Sequence, residues 1–102
     1  MKHLIMVIHK STQQDLADHL RALKEVSGFT FCQVEGHGVQ MEDARLVSAR
    51  DKVVGFTPRV RVDILLDDAD VDTVLDSIRS ATQGIAGRGI YWVTAVEQNG
   101  HL

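Results

Sequence analysis

"RVRVDILLDDADVDTVLDSIRSATQ", residues 59–83, changes its hydrophobic period part-way along. In its first half Val60, Val62, Ile64 and Leu66 alternate with Arg59, Arg61 and Asp63, the period of two that a half-buried strand imposes. From Asp67 onward the apolar residues fall at Val71, Val74, Leu75 and Ile78, the spacing of one helix face. Asp67, Asp68 and Asp70 stand where that helix begins. Carboxylates there cap orphan N–H groups and complement the positive end of the helix dipole. The stretch therefore predicts a strand over 59–66 that feeds directly into a helix over 67–83.

The flanking sequence extends the pattern. "IYWVTAVE", residues 90–97, reads as a last strand, and "FTFCQVEGH", residues 29–37, as one preceding the quoted strand. "HLIMVIH", residues 3–9, carries apolar residues on both faces and predicts an inner strand. Ser11 is a candidate N-cap for a first helix, with Gln14 placed to close a capping box. Leu16, Leu20 and Leu23 form that helix's stripe, and Gly28 is expected to end it. The order β-α-β-β-α-β with right-handed crossovers gives an α+β, ferredoxin-like βαββαβ sandwich with both helices on one face of the sheet. Ile5, Val7, Phe29, Phe31 and Leu65 then fall opposite, or partly opposite, the helix-facing set. Such an open apolar face predicts packing between subunits.

Length and composition bound the function. The 102 residues form a single domain, 1–102, and a formal charge of −3 argues against non-specific nucleic-acid binding. The single cysteine, Cys32, excludes an internal disulfide and fits a reducing compartment. It is expected to pack as a small apolar residue beside Phe31. The short apolar run at the N-terminus has neither the length of a membrane span nor a signal-peptide cleavage pattern, so the protein is expected in the cytoplasm without inserting into a membrane.

Enzyme chemistry finds no support. No nucleophile elbow surrounds Ser11, Ser48 or Ser77, and Asp67, Asp68, Asp70 and Asp72 lack the glycine of a calcium loop. The histidines, His3, His9, His19, His37 and His101, include no pair at zinc-site spacing. His19 is expected on a solvated helix surface. His37 shares a strand face with Glu35, and imidazole plus carboxylate could hold a divalent metal if a neighbouring chain supplied a third ligand. Arg59, Arg61 and Asp63 read either as a surface ion-pair ladder or as an anion site.

Two segments remain. Residues 38–58, "GVQMEDARLVSARDKVVGFTP", far exceed a hairpin loop and read either as an extended arm or as a mobile recognition loop. Pro58 biases Thr57 to an extended conformation, so the next strand is expected to begin at Arg59. "GIAGRG", residues 84–89, is either a turn into the last strand or a phosphate cradle. Its glycines allow backbone N–H groups close to an anion and Arg88 adds charge. G-x-x-G-x-G is neither a Walker nor a dinucleotide fingerprint.

"VEGHGVQ", "FTPRVRVDILL", "DDADVDTVLDSIRSATQG" and "GIAGRGIYWVTAVE" together resemble the PII signal-transduction proteins over nearly the whole chain. The resemblance implies a non-enzymatic homotrimer whose long T-loop, here 38–58, docks onto a transporter or regulator. It also implies effector contacts from Gly36, Gly38 and Gln40 at the loop base and from Gly84, Gly87, Arg88 and Gly89 of the B-loop, in a cleft between subunits. Where that family places B-loop lysines this chain has Ile85 and Ile90, and it ends at Leu102 without the family's basic tail. Each charged contact is typically worth about 1.5–3 kcal/mol, so the expected effector is a weakly bound adenine nucleotide or another small anion. The 38–58 segment contains no tyrosine, which excludes regulation by tyrosine modification there. "SGFT", "EGHG" and "YWVTAVEQNGHL" resemble most the small PII-like proteins that accompany heavy-metal efflux transporters. The resemblance thus implies a regulator of a membrane transporter. The alternatives are a divalent-metal-binding tolerance protein of the same fold, using His37 and Glu35, and a structural oligomer without a ligand.

Overall fold

The computed structural model describes residues 1–38, 57–81 and 89–102. Strands β1 (Lys2–His9), β2 (Thr30–Gly36), β3 (Thr57–Leu66) and β4 (Ile90–Ala95) form one antiparallel sheet in the order β2-β3-β1-β4. Helix α1 (Gln13–Ala22) lies between β1 and β2, and helix α2 (Val71–Ala81) between β3 and β4. The expected βαββαβ order and α+β class hold, and the arrangement is compatible with a ferredoxin-like fold.

The register explains the core. Leu4, Met6 and Ile8 pair with Ile64, Val62 and Val60, so all six side chains share one face. Leu16 and Leu20 of α1 and Val74, Leu75 and Ile78 of α2 close over them, and all are buried. Burying each such side chain contributes roughly 1.5–3 kcal/mol.

The chain enters α1 differently from the expected cap. A 3-10 turn, Lys10–Thr12, precedes the helix. The His9 imidazole caps that turn: its Nδ1 accepts the Ser11 backbone N–H at 3.0 Å and lies 2.8 Å from the Ser11 hydroxyl. Ser11 is thus a donor to His9 rather than a cap, and Gln14 reaches forward to Asp18 at 3.0 Å instead of closing a box. The helix stops at Ala22, with Leu23 extended at its C-cap, well before Gly28.

Strand β3 also begins earlier than expected. Thr57 and Pro58 belong to it, opposite Gly36 and Glu35. Pairing of β3 with β1 starts only at Arg59, so at Pro58 the missing N–H removes no rung on the β1 side. Residues 39–56, the greater part of the expected long loop, lie outside the described residues.

The open face of the sheet is less apolar than expected. Phe31 pairs with Val62 and so lies on the helix-covered face, where it and Phe29 pack against the core, their rings 5.3 Å apart. Ile5 is buried and Leu65 exposed, while β4 is exposed along its whole length, including Ile90 and Trp92. Cys32 is exposed rather than packed. His19 is part-buried and bonds Ser77 across the two helices at 2.9 Å, rather than facing solvent. Among the described residues no helix is long and apolar enough to cross a membrane.

Candidate functional site

Three strands bring their loop-ward ends to one edge of the sheet, and the backbone leading into the fourth joins them. Gly36 ends β2, Thr57 begins β3 opposite it, and Arg59 pairs with both Val34 and His9. Gly89 leads into β4 beside Val7 and Ile8 of β1. The flanks of the 39–56 segment and the C-terminal flank of the 82–88 segment therefore share this end. Of the expected effector residues, Gly36, Gly38 and Gly89 are described here. Gln40, Gly84, Gly87 and Arg88 lie outside the described residues.

Two of these glycines are required by close approach. A Cβ on Gly36 would overlap Cγ of Arg59 and stand 2.7 Å from its Nε and 3.0 Å from the Thr57 carbonyl oxygen. Arg59 is only 1% exposed, so its stem fills the space a side chain at 36 would need. A Cβ on Gly89 would meet the Val7 carbonyl oxygen at 3.0 Å and Ile8 Cγ2 at 3.2 Å, which lets backbone pass close over β1. Gly38 has open space around it. Burial of Arg59 corrects the expectation that it joins a surface ladder. Its burial goes with a strand that extends past Pro58, so that Gly36 faces Thr57.

The expected metal pair is adjacent but open to solvent. His37 Nε2 lies 3.4 Å from Glu35 Oε2, at the end of edge strand β2. Among the described residues, no three His, Cys, Asp or Glu side chains are grouped to hold a metal.

A second polar cluster occupies the open face. Arg61 donates to Asp63 from Nε at 3.2 Å and from Nη2 at 3.0 Å, and His3 Nε2 lies 2.8 Å from the same carboxylate. The Arg61 hydrogen bonds, aided by His3, hold the Asp63 carboxyl below the usual carboxylate range despite partial burial. Asp63 in turn raises Arg61, whose guanidinium lies 6.0 Å from the Trp92 ring centre. The ladder reading of Arg61 and Asp63 is what the geometry realises.

A family model described as "Protein of unknown function (DUF3240)" matches residues 1–102. Nitrogen regulatory protein P-II of Rhizobium meliloti is 36% identical over 80 residues, covering 76% of this chain and 71% of its own length. The chain belongs to the DUF3240 family, a divergent PII-like branch. Nitrogen regulatory protein P-II 2 of Methanothermobacter thermautotrophicus is 28% identical over 99 residues, 96% of this chain and 85% of its own. A crystal structure of a DUF3240 protein from Shewanella baltica superposes with a TM-score of 0.76 at 19% identity, covering 99% and 94% of the two chains. At that identity the likeness speaks for the PII-like fold alone. Both P-II relatives are nitrogen regulatory proteins, which supports a PII-like regulatory role.

Proposed function

We propose that this protein is a cytoplasmic, non-enzymatic PII-like regulator. It assembles as a homotrimer, takes a small effector into the clefts between subunits, and relays its state to a membrane transporter through the segment between β2 and β3. The observation that carries this reading is that the flanks of that segment and the C-terminal flank of the glycine segment meet at one end of the sheet. A change at one is then felt at the other through Gly36, Arg59, His9 and Gly89. Effector contacts are assigned to Gly36, Gly38, Gln40, Gly84, Gly87, Arg88 and Gly89, and the effector to an adenine nucleotide. Calorimetry with ATP is expected to show weak binding, and nanomolar affinity would overturn the weight placed on Ile85 and Ile90.

The test of the relay is replacement of Glu42–Lys52 by a short Gly-Ser link. The variant is expected to keep the trimer in sedimentation while losing capture of its partner transporter. Unfolding of the core would make the segment structural, and unchanged capture would place recognition elsewhere. In the family resemblance that transporter is a metal efflux pump.

A second reading is favoured by the Glu35–His37 pair, 3.4 Å apart and exposed. In it the protein confers tolerance by binding a divalent metal directly, a neighbouring subunit completing the site. Zinc binding lost on replacing Glu35 and His37 by glutamine would support it. Zinc binding that survives that change removes its basis.

A further inference from the structure

Strand β1 ends in a histidine that stands where a cap belongs. His9 Nδ1 accepts the Ser11 backbone N–H at 3.0 Å and lies 2.8 Å from the Ser11 hydroxyl. The usual caps are serine, threonine, asparagine and aspartate, and each keeps its acceptor through neutral pH. An imidazole does not, because its ordinary pKa of about 6.5 lets it take a second proton in that range.

The hydrogen bond fixes where the ring's hydrogen sits. A backbone N–H only donates, so the nitrogen facing it must offer a lone pair. His9 is therefore neutral, with its hydrogen on Nε2. A further proton has to enter at Nδ1, the atom that holds the cap. The ring then donates to the Ser11 hydroxyl, which rotates to accept. The Ser11 N–H is left facing another hydrogen and loses its acceptor.

This joint lies at the loop-ward end of the sheet. His9 pairs with Arg59 of β3, and Gly89 passes close to Val7 and Ile8, the two residues before it in β1. The turn keeps other ties when the cap opens: Thr12 Oγ1 donates to the His9 carbonyl at 2.8 Å, and the Gln13 N–H donates to the Lys10 carbonyl. The charged groups that the described elements bring beside His9 are two cations, Lys10 next in the chain and buried Arg59 across the register. Both repel a positive ring. Asp15, in the first turn of α1, is exposed to solvent.

We propose that His9 is an acid-release latch on the entry to α1: neutral, it holds the Ser11 N–H and fixes the turn at the end of β1, and protonated, it lets that turn loosen. The latch rests on hydrogen-bond geometry and stands whether or not an effector binds between subunits. In the unfolded chain the ring has no N–H to accept, so it takes up the proton first. The latch's contribution to stability is thus present above about pH 6.5 and is lost as pH falls below it.

The experiment follows the full chain by NMR from about pH 8 to 5, the range in which histidine changes charge. His9→Asn runs beside it, since an asparagine oxygen caps but does not titrate. At the upper end, 15N imidazole spectra should show the His9 hydrogen on Nε2. Ser11 amide exchange, corrected for its intrinsic pH dependence, should quicken roughly 2–30-fold as His9 titrates, the range that loss of an N-cap spans. In His9→Asn the corrected exchange should stay level. A hydrogen on Nδ1 overturns the latch. So does a Ser11 amide indifferent to the His9 titration, or the same acid response in His9→Asn. The first two measurements use unaltered protein, so a variant that fails to fold does not shield the proposal.

Discussion

Replacing Gly36 by alanine tests how the loop base is built. One methyl group is added where the Arg59 stem already lies, at Cγ and at Nε 2.7 Å away, with the Thr57 carbonyl oxygen at 3.0 Å. Arg59 cannot swing out cheaply, because it is buried to 1% exposure. Inserting a methyl into a packed site typically costs about 1–3 kcal/mol. Losing glycine's freedom in the unfolded chain returns about 0.4–1 kcal/mol, since the φ at Gly36 is not left-handed. The net is a loss of roughly 1–2 kcal/mol, a fall in Tm on the order of 4–15 °C for a domain of this size. Gly28→Ala is the control: nothing lies within 4 Å of its added Cβ, and it should melt level with or slightly above the parent. Circular dichroism melts at one fixed protein concentration read both. The decisive comparison repeats Gly36→Ala in an Arg59→Ala background, where the overlapping Cγ is gone and the second change should cost little. Strictly additive losses, or a Gly36→Ala melt equal to the parent, would refute the packing argument.

Leu20→Ala, at a fully buried position between α1 and the sheet, should cost about 2–5 kcal/mol in urea unfolding. Trp92→Glu on exposed β4 should convert a trimer to smaller species in sedimentation at micromolar concentration, and a monomeric parent would sink the assembly reading. Asp63 titrates below the usual carboxylate range, so its contribution is present above the unfolded-state pKa and is lost as pH falls through the folded value. NMR should place its midpoint low, and Arg61→Met should move that midpoint up towards the ordinary value.

The fold was readable because two periods meet at Leu66. Strict alternation through Arg59–Leu66 and helical spacing at Val71, Val74, Leu75 and Ile78 left little choice of element type. What was not readable depended on partners far along the chain. Ser11 looked like a cap, but its own N–H and hydroxyl are taken up by the His9 imidazole, which caps the turn in its place. Phe31 looked outward until its register with Val62 placed it on the helix side. Cys32 and His19 traded places for a similar reason: strand register exposes the thiol, while α2 supplies Ser77 to the imidazole. At the candidate site, the glycines were legible as glycines, but the buried arginine that makes Gly36 obligatory was not. Its burial follows from pairing that runs past Pro58, which local preference alone argued against.

The sheet order has a consequence for how the chain is made. β1 leaves the ribosome before either of the strands it pairs with, since it is an inner strand flanked by β3 and β4. Some eighty residues separate His9 from Ile90. At about 5–20 residues per second, β1 waits roughly 4–16 seconds for its last neighbour. During that interval Leu4, Met6 and Ile8 have α1 for company but no complete sheet. Pairings so distant in sequence also form slowly once the chain is free. Nascent chains of this protein should therefore be natural clients of holding chaperones, and slowing translation after residue 66 should lower the soluble yield more than slowing it before residue 30.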